Sequence, residues 1–271
     1  MKVTPIKTKK IVVGDNLYKI LDKYLPKLEE GDIVAVASKI ISICQGDVVK
    51  NDGKITKFEI IKREAGFYLP EEYVNYGIYL TIKNNMFVAS AGVDESNANG
   101  YFILWPRNLQ TTTNRVWKHL REKNKIKKLG IVVTDGRITP LRKGVTGIGL
   151  SWCGFEPLKD YIGKPDIFGH NLRVTKANLV DGLAATAVAV TGEGDEQTPL
   201  AVISEVPNIK FVERIPTKDE LAEMTIDIKD DVYAGLIRSV KWIKGGSNTE
   251  DQDKRQNNKS SKKNQRKRGR Q

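Results

Sequence analysis

Ile33 to Ala37 and Leu129 to Thr134 are short, nearly continuous apolar runs, and runs of this kind are strands covered on both faces. A chain that carries them must lay other elements over each side, so a single open layer is excluded. Residues 199–204 predict a further strand. With 271 residues there is room for a sizeable core around them.

The rest of the pattern is mixed. Residues 2–13 read as an extended segment, and Asp15 stands where it caps a helix carrying Leu17, Tyr18, Ile20, Leu21, Tyr24 and Leu25 at helical spacing. Val48 to Ile60 is polar and reads as a hairpin turning at Asn51-Asp52-Gly53. Residues 78–82 and 86–91 predict two strands joined by Lys83-Asn84-Asn85, and residues 111–122 a basic helix. Residues 144–152, with Gly and β-branched positions, predict a strand. Leu179 to Val190 is Ala-rich and apolar almost all round, which predicts a buried helix. Residues 216–223 and 230–243 predict two more helices, the second with a stripe of Val232, Tyr233, Leu236, Ile237 and Val240. The mixture predicts an α+β fold rather than regular βαβ alternation. Neither GxGxxG nor GxxxxGKS/T occurs, so Rossmann and P-loop readings lose their main support.

Charge is unevenly placed. The formal net charge is +12, and residues 246–271 hold nine Lys or Arg against three acids, half of the excess. That stretch contains no Leu, Ile, Val, Phe, Trp, Tyr, Met or Ala, so it cannot bury apolar area to offset chain entropy. It reads as a disordered tail, either solubilising or a weak, salt-sensitive arm for nucleic acid. Two Cys without a CxxC exclude a thiolate zinc site, and two His exclude a His-rich one. Any metal is therefore held by oxygens, which favours magnesium or manganese. The N-terminus lacks a signal-peptide core, and no apolar run approaches the roughly 20 residues of a spanning helix, so the expected place is the cytoplasm without membrane contact.

Polar residues of one kind recur at the ends of these elements. Ser38-Lys39 follows the first apolar run, Gly92-Val93-Asp94-Glu95-Ser96-Asn97 follows residues 86–91, and Asp135 follows residues 129–133. Gly192-Glu193-Gly194-Asp195 follows the Ala-rich helix. Element ends are where a rigid scaffold presents functional groups. Asp94, Asp135 and Glu193 suit hard divalent cations, and the glycines let backbone N–H groups approach phosphate oxygens. Carboxylates, a Gly-rich turn and nearby cations describe metal-assisted phosphoryl transfer. Each piece alone also reads as an ordinary turn or helix C-cap.

Six stretches in one order resemble the coenzyme F420-0:L-glutamate ligase family, and within it a branch of γ-glutamate ligases linked to folate metabolism. They are Ser38-Lys39-Ile40-Ile41-Ser42, residues 90–97 around Asp94, Val132-Val133-Thr134-Asp135, residues 140–147, residues 161–169 and Val190-Thr191-Gly192-Glu193-Gly194. They cover roughly residues 1–215. The resemblance implies a γ-glutamyl ligase-like α+β fold of mixed sheets with packed helices over 1–245, allowing two intertwined subdomains, ahead of the tail. It implies that GTP, or ATP, phosphorylates an acceptor carboxylate, and that the amine of L-glutamate then displaces phosphate. The acceptor is coenzyme F420-0 or a folate. Two magnesium or manganese sites, potassium as a further ion, and a homodimer are implied as well.

Carried onto this chain, the resemblance assigns Asp94 and Asp135 to one metal, and Glu193 with the position of Gly136 to the second. Asn97, Ser38 and Lys39 contact the nucleotide. The Gly192–Thr198 loop, including Gly194 and Asp195, wraps the phosphates, and Thr8, Lys9, Lys10 and Ile11 form part of the nucleotide wall. Arg142 and Lys143 hold phosphate or substrate carboxylate, or are surface charges. Asp166 and Asp181 read as caps or turns. Trp105, Trp152 and Phe155 read as stacking groups or core. Two positions depart from the family pattern: Ile43 replaces a Lys, and Gly136 replaces a Thr or Ser, with Arg137 next to it as a phosphate contact. The alternative from another class is a retired ligase scaffold that binds RNA or the ribosome through its basic tail.

Overall fold

The computed structural model describes residues 1–247. Of the expected tail, 246–271, all but Gly246 and Ser247 lies outside the described residues. Those two are hydrogen-bonded, their N–H groups donating to the carbonyls of Lys62 and Ala65 at 2.9 and 3.2 Å, so they belong with the folded chain. Two compact units emerge among the described residues: Met1–Val49 with Ile103–Thr225, and Lys50–Phe102 with the described residues from Ile226 onward.

The first unit is built on five strands: β1 (Lys2–Ile6), β2 (Asp32–Ala37), β3 (Leu129–Ile138), β4 (Val145–Cys153) and β5 (Leu200–Ser204). Their order is β1-β5-β2-β3-β4; β2 and β3 run parallel and the other pairs antiparallel. Successive side chains on a strand face opposite ways, and the core divides accordingly. Val34, Val36, Ile131 and Val133 face helices α1 (Leu17–Tyr24), α2 (Ser38–Gln45) and α3 (Leu109–Asn124) through Leu21, Ile41, Val116 and Leu120. Ile33, Ala35 and Val132 face α4 (Leu179–Thr191) through Val180, Leu183, Ala184 and Ala187. The two apolar runs are therefore adjacent, and both of their faces are covered. Helix α4 lies directly on β4: a Cβ on Gly147 would stand 2.3 Å from the Ala184 carbonyl oxygen. Only glycine fits that approach, which is why the strand is Gly-rich and the helix Ala-rich.

Local capping differs from the expectation at Asp15. Asn16 caps α1, accepting from the Lys19 N–H, while Asp15 is engaged by Lys9 Nζ at 2.5 Å and the Val12 N–H at 2.9 Å. Strand β3 also runs past Asp135 to Ile138, so Asp135 lies within the strand rather than after it.

The second unit holds a four-stranded antiparallel sheet in the order Ile243–Lys244, Phe67–Tyr68, Leu80–Lys83, Met86–Ala89. The Asn84-Asn85 turn takes φ of 51° and 61°, the positive values that a tight hairpin requires. The expected hairpin over 48–60 is not formed. Val48–Lys50 is a strand, but Lys57–Glu64 is a helix, started by a reciprocal capping box between Thr56 and Glu59. The expected helix over 230–243 is also not formed. A 3-10 turn at Ile228–Asp230 and a short helix, Ala234–Arg238, replace it. Asp231 accepts the Tyr233 N–H in a local turn, and Gly235 weakens the helix interior. Val232 and Leu236 of the apolar stripe are 90% and 72% exposed.

Candidate active site

The parallel register of β2 and β3 builds the first part of the site. Ala37 pairs with Thr134, so Ser38 and Asp135 follow side by side at the ends of the paired segments. Opposite Val133 and Thr134 the partner strand β4 carries an extra residue, Leu150, so the ladder is interrupted just before Asp135. Asp135 Oδ2 accepts the indole N–H of Trp105 at 2.5 Å. Its carboxyl also accepts the Ser38 hydroxyl and the Gly136 N–H, and it feels the charge of Lys39. Although Asp135 as a residue keeps some surface, its carboxyl is enclosed by protein. Burial therefore dominates and pushes its pKa up to about 6, while the Trp105, Gly136, Lys39 and Ser38 interactions pull the other way.

The Gly-rich turn brings Glu193 to the next residue of the same strand. Gly192 closes α4 with φ 78°, and the Glu193 Oε1 lies 3.1 Å from where a Cβ on Gly136 would be. A carboxylate and a glycine backbone are hard oxygen donors, and a magnesium or manganese ion suits them. Among the described residues, no group of three or more His, Cys, Asp and Glu side chains forms a ready-made cation cluster. Arg137 follows, with its buried Nε lacking a hydrogen-bond partner in the structure.

The loop after α4 meets the N-terminal segment through the Thr8 N–H, which donates to the Gln197 carbonyl at 2.9 Å. Thr8 is buried, Lys9 and Lys10 are exposed, and Ile11 is half-buried. Within the loop, Glu196 accepts the Gly194 N–H at 2.8 Å and packs where a Cβ on Gly192 would stand. Asp195 is exposed, as are Arg142 and Lys143 at the turn between β3 and β4.

Asp94 and Asn97 belong to the second unit. Asp94 accepts the Ser96 N–H at 2.8 Å and the Ser96 hydroxyl at 2.9 Å, closing a turn in which Asn97 has φ 56°. Three left-handed residues precede it, Ser90, Ala91 and Gly92, with φ of 50°, 54° and 73°. Two of them are not glycine, so the turn is strained. The Ala91 N–H donates to Thr81 Oγ1 at 2.9 Å, and buried Lys83 donates to the Ala91 carbonyl at 3.3 Å.

Other sequence readings resolve locally. Ile43 is core, 6% exposed on α2. Asp166 accepts the N–H groups of Phe168 and His170, and Asp181 accepts that of Gly149, so both are turn or capping residues. Trp105, Trp152 and Phe155 are all buried. The role of Trp105 as donor to Asp135 was not legible, because nothing in the spacing of residues 105 and 135 links them.

The chain matches the family model of F420-0:gamma-glutamyl ligase over residues 5–205. It is 31% identical over 223 residues to a protein of Methanopyrus kandleri named coenzyme F420:L-glutamate ligase, covering 74% of this chain and 86% of that one. Proteins of the same name from Methanocaldococcus jannaschii and Halobacterium salinarum are 32% and 30% identical over 202 and 215 residues. Those matches cover 69% and 72% of this chain, and 80% and 83% of the relatives. Among the described residues no helix is long and apolar enough to cross a membrane.

Proposed function

We propose that this chain, which belongs to the F420-0:gamma-glutamyl ligase family, joins the amine of L-glutamate to a carboxylate of an F420-0-type acceptor at the expense of GTP. A carboxylate does not react with an amine unaided, because oxide is too poor a leaving group. The γ-phosphoryl group moves from GTP to an oxygen of the acceptor carboxylate, and GDP leaves. The glutamate nitrogen then attacks the acyl carbon, loses a proton, and inorganic phosphate departs with the C–O bond electrons.

In this reading the Gly192–Thr198 loop and the Thr8 segment hold the nucleotide, and Lys39 and the unpartnered Arg137 Nε face its phosphate charge. Asp135 on one side, and Glu193 with the Gly136 backbone on the other, are the groups that would hold magnesium or manganese. Such a cation supplies neutralisation of the phosphoryl oxygens as charge shifts between them. The observation that carries the reading is the gathering of Ser38, Asp135 and Glu193 around the end of one strand pair.

The test is direct. Purified protein is incubated with L-glutamate, manganese, GTP or ATP, and either F420-0 or a folate, and the acceptor is weighed by mass spectrometry. A gain of one glutamyl residue on F420-0 with GTP is expected. No gain on either acceptor with either nucleotide sinks the reading.

A further inference from the structure

The geometry points to Trp105 as a positioning residue that orients the Asp135 carboxylate for a cation. The inference rests on the reading of Asp135 as a cation ligand and adds the group that aims it. A carboxylate offers about four lone-pair directions. In Asp135 the indole N–H, the Ser38 hydroxyl and the Gly136 N–H take three of them, and one direction is left for a cation. Ser38 carries a rotatable hydroxyl and Gly136 shares the backbone of Asp135 itself. The indole is the donor fixed from outside that strand.

Its fixing is visible. Trp105 is 7% exposed. The preceding Leu104 is held on both sides, its N–H donating to the Asp47 carbonyl at 3.0 Å and its carbonyl accepting the Ser42 hydroxyl at 2.5 Å. Pro106 follows and fixes the chain direction on the other side. The backbone that carries the ring is thus held on both sides and the ring itself is buried, so the indole is the less mobile partner of the pair. Groups that hydrogen-bond a metal ligand in this way alter metal affinity when removed, by about tenfold or more.

The experiment compares wild type, Trp105→Phe and Asp135→Asn by titrating manganese and reading the free ion by electron paramagnetic resonance. Trp105→Phe keeps an aromatic ring and removes only the donor. We expect Asp135→Asn to lose uptake and Trp105→Phe to weaken it about tenfold, with the manganese quenching of tryptophan emission reduced in Trp105→Phe. Uptake by Trp105→Phe equal to wild type, while Asp135→Asn is impaired, overturns the positioning role alone. Equal uptake by wild type and Asp135→Asn overturns the cation reading and the positioning role together. A further measurement on wild type holds even where Trp105→Phe does not fold. In spectra of protein with nitrogen-15 tryptophan, the indole signal displaced in Asp135→Asn must also move when magnesium is added. An unmoved signal refutes the proposal.

Discussion

The Glu193 carboxylate stands 3.1 Å from the point where a side chain on Gly136 would begin, and Val145 Cγ1 closes the same point at 2.9 Å. Gly136 is thus the residue that admits Glu193 to the strand carrying Asp135. Gly136→Ala places a methyl group against a stiff β-branched side chain and a carboxylate. We expect a loss of about 1–2 kcal/mol in stability from overpacking, together with weaker manganese uptake because Glu193 is displaced. Urea unfolding and manganese titration on the same sample check both. Unchanged uptake would show that Glu193 has no cation role at this position.

Asp135 predicts a pH dependence of stability in the metal-free protein. Its carboxyl titrates at about 6 in the folded chain against an ordinary 3.8. Between these values the folded state holds a proton that the unfolded state has lost. Stability is therefore highest below about pH 4 from this group, and it falls as pH rises through 6. The cost at neutral pH is roughly 3 kcal/mol. Asp135→Asn removes the ionisation, so in the presence of chelator it should be more stable than wild type at pH 8 and nearly equal at pH 4. Denaturant midpoints at the two pH values decide it.

In the second unit, buried Lys83 donates to Glu64 at 2.9 Å, and the two side chains are 8% and 26% exposed. The exposure difference makes the two halves of the pair unequal. Lys83→Met leaves a carboxylate that can turn toward water. Glu64→Gln leaves the buried Lys83 ammonium with its Ala91 carbonyl bond but without the opposite charge of Glu64, and losing that charge in the interior is costly. We expect Glu64→Gln to cost about 2–3 kcal/mol and Lys83→Met less. The reverse order in urea unfolding would refute the argument.

Much of the first unit was legible because its signals are local. Ile33 to Ala37 and Leu129 to Thr134 announce buried strands by their side chains alone, and Leu179 to Val190 announces the helix over them. Ser38 and Glu193 stand at element ends that the same local signals marked, whereas Asp135 lies inside its strand and the roles of all three came from the family resemblance. What failed was composition read without its partners. Thr56 and Glu59 cap each other and turn a polar stretch into a helix where a hairpin was expected. Val232 and Leu236 have helical spacing, but Gly235 and the Asp231 turn limit the helix to Ala234–Arg238. The donor to Asp135 was invisible because hydrogen bonds between residues thirty apart leave no trace in spacing.

The same loop that delivers Glu193 also carries an anion of its own. Glu196 accepts the Gly194 N–H at 2.8 Å, and its carboxyl carbon lies 2.3 Å from where a Cβ on Gly192 would stand. The carboxylate thus fills the hollow that the two glycines open, and a phosphate using the same N–H must first displace it. One charge-assisted hydrogen bond is worth about 1.5 kcal/mol or somewhat more. Glu196→Ala removes the competitor without adding bulk, since alanine carries nothing beyond Cβ. We expect GTP to bind roughly tenfold more tightly to this variant than to wild type, on the scale of one such bond. Titration calorimetry with a non-hydrolysable GTP analogue measures it. A weaker affinity would mean that Glu196 serves the nucleotide rather than standing in for it.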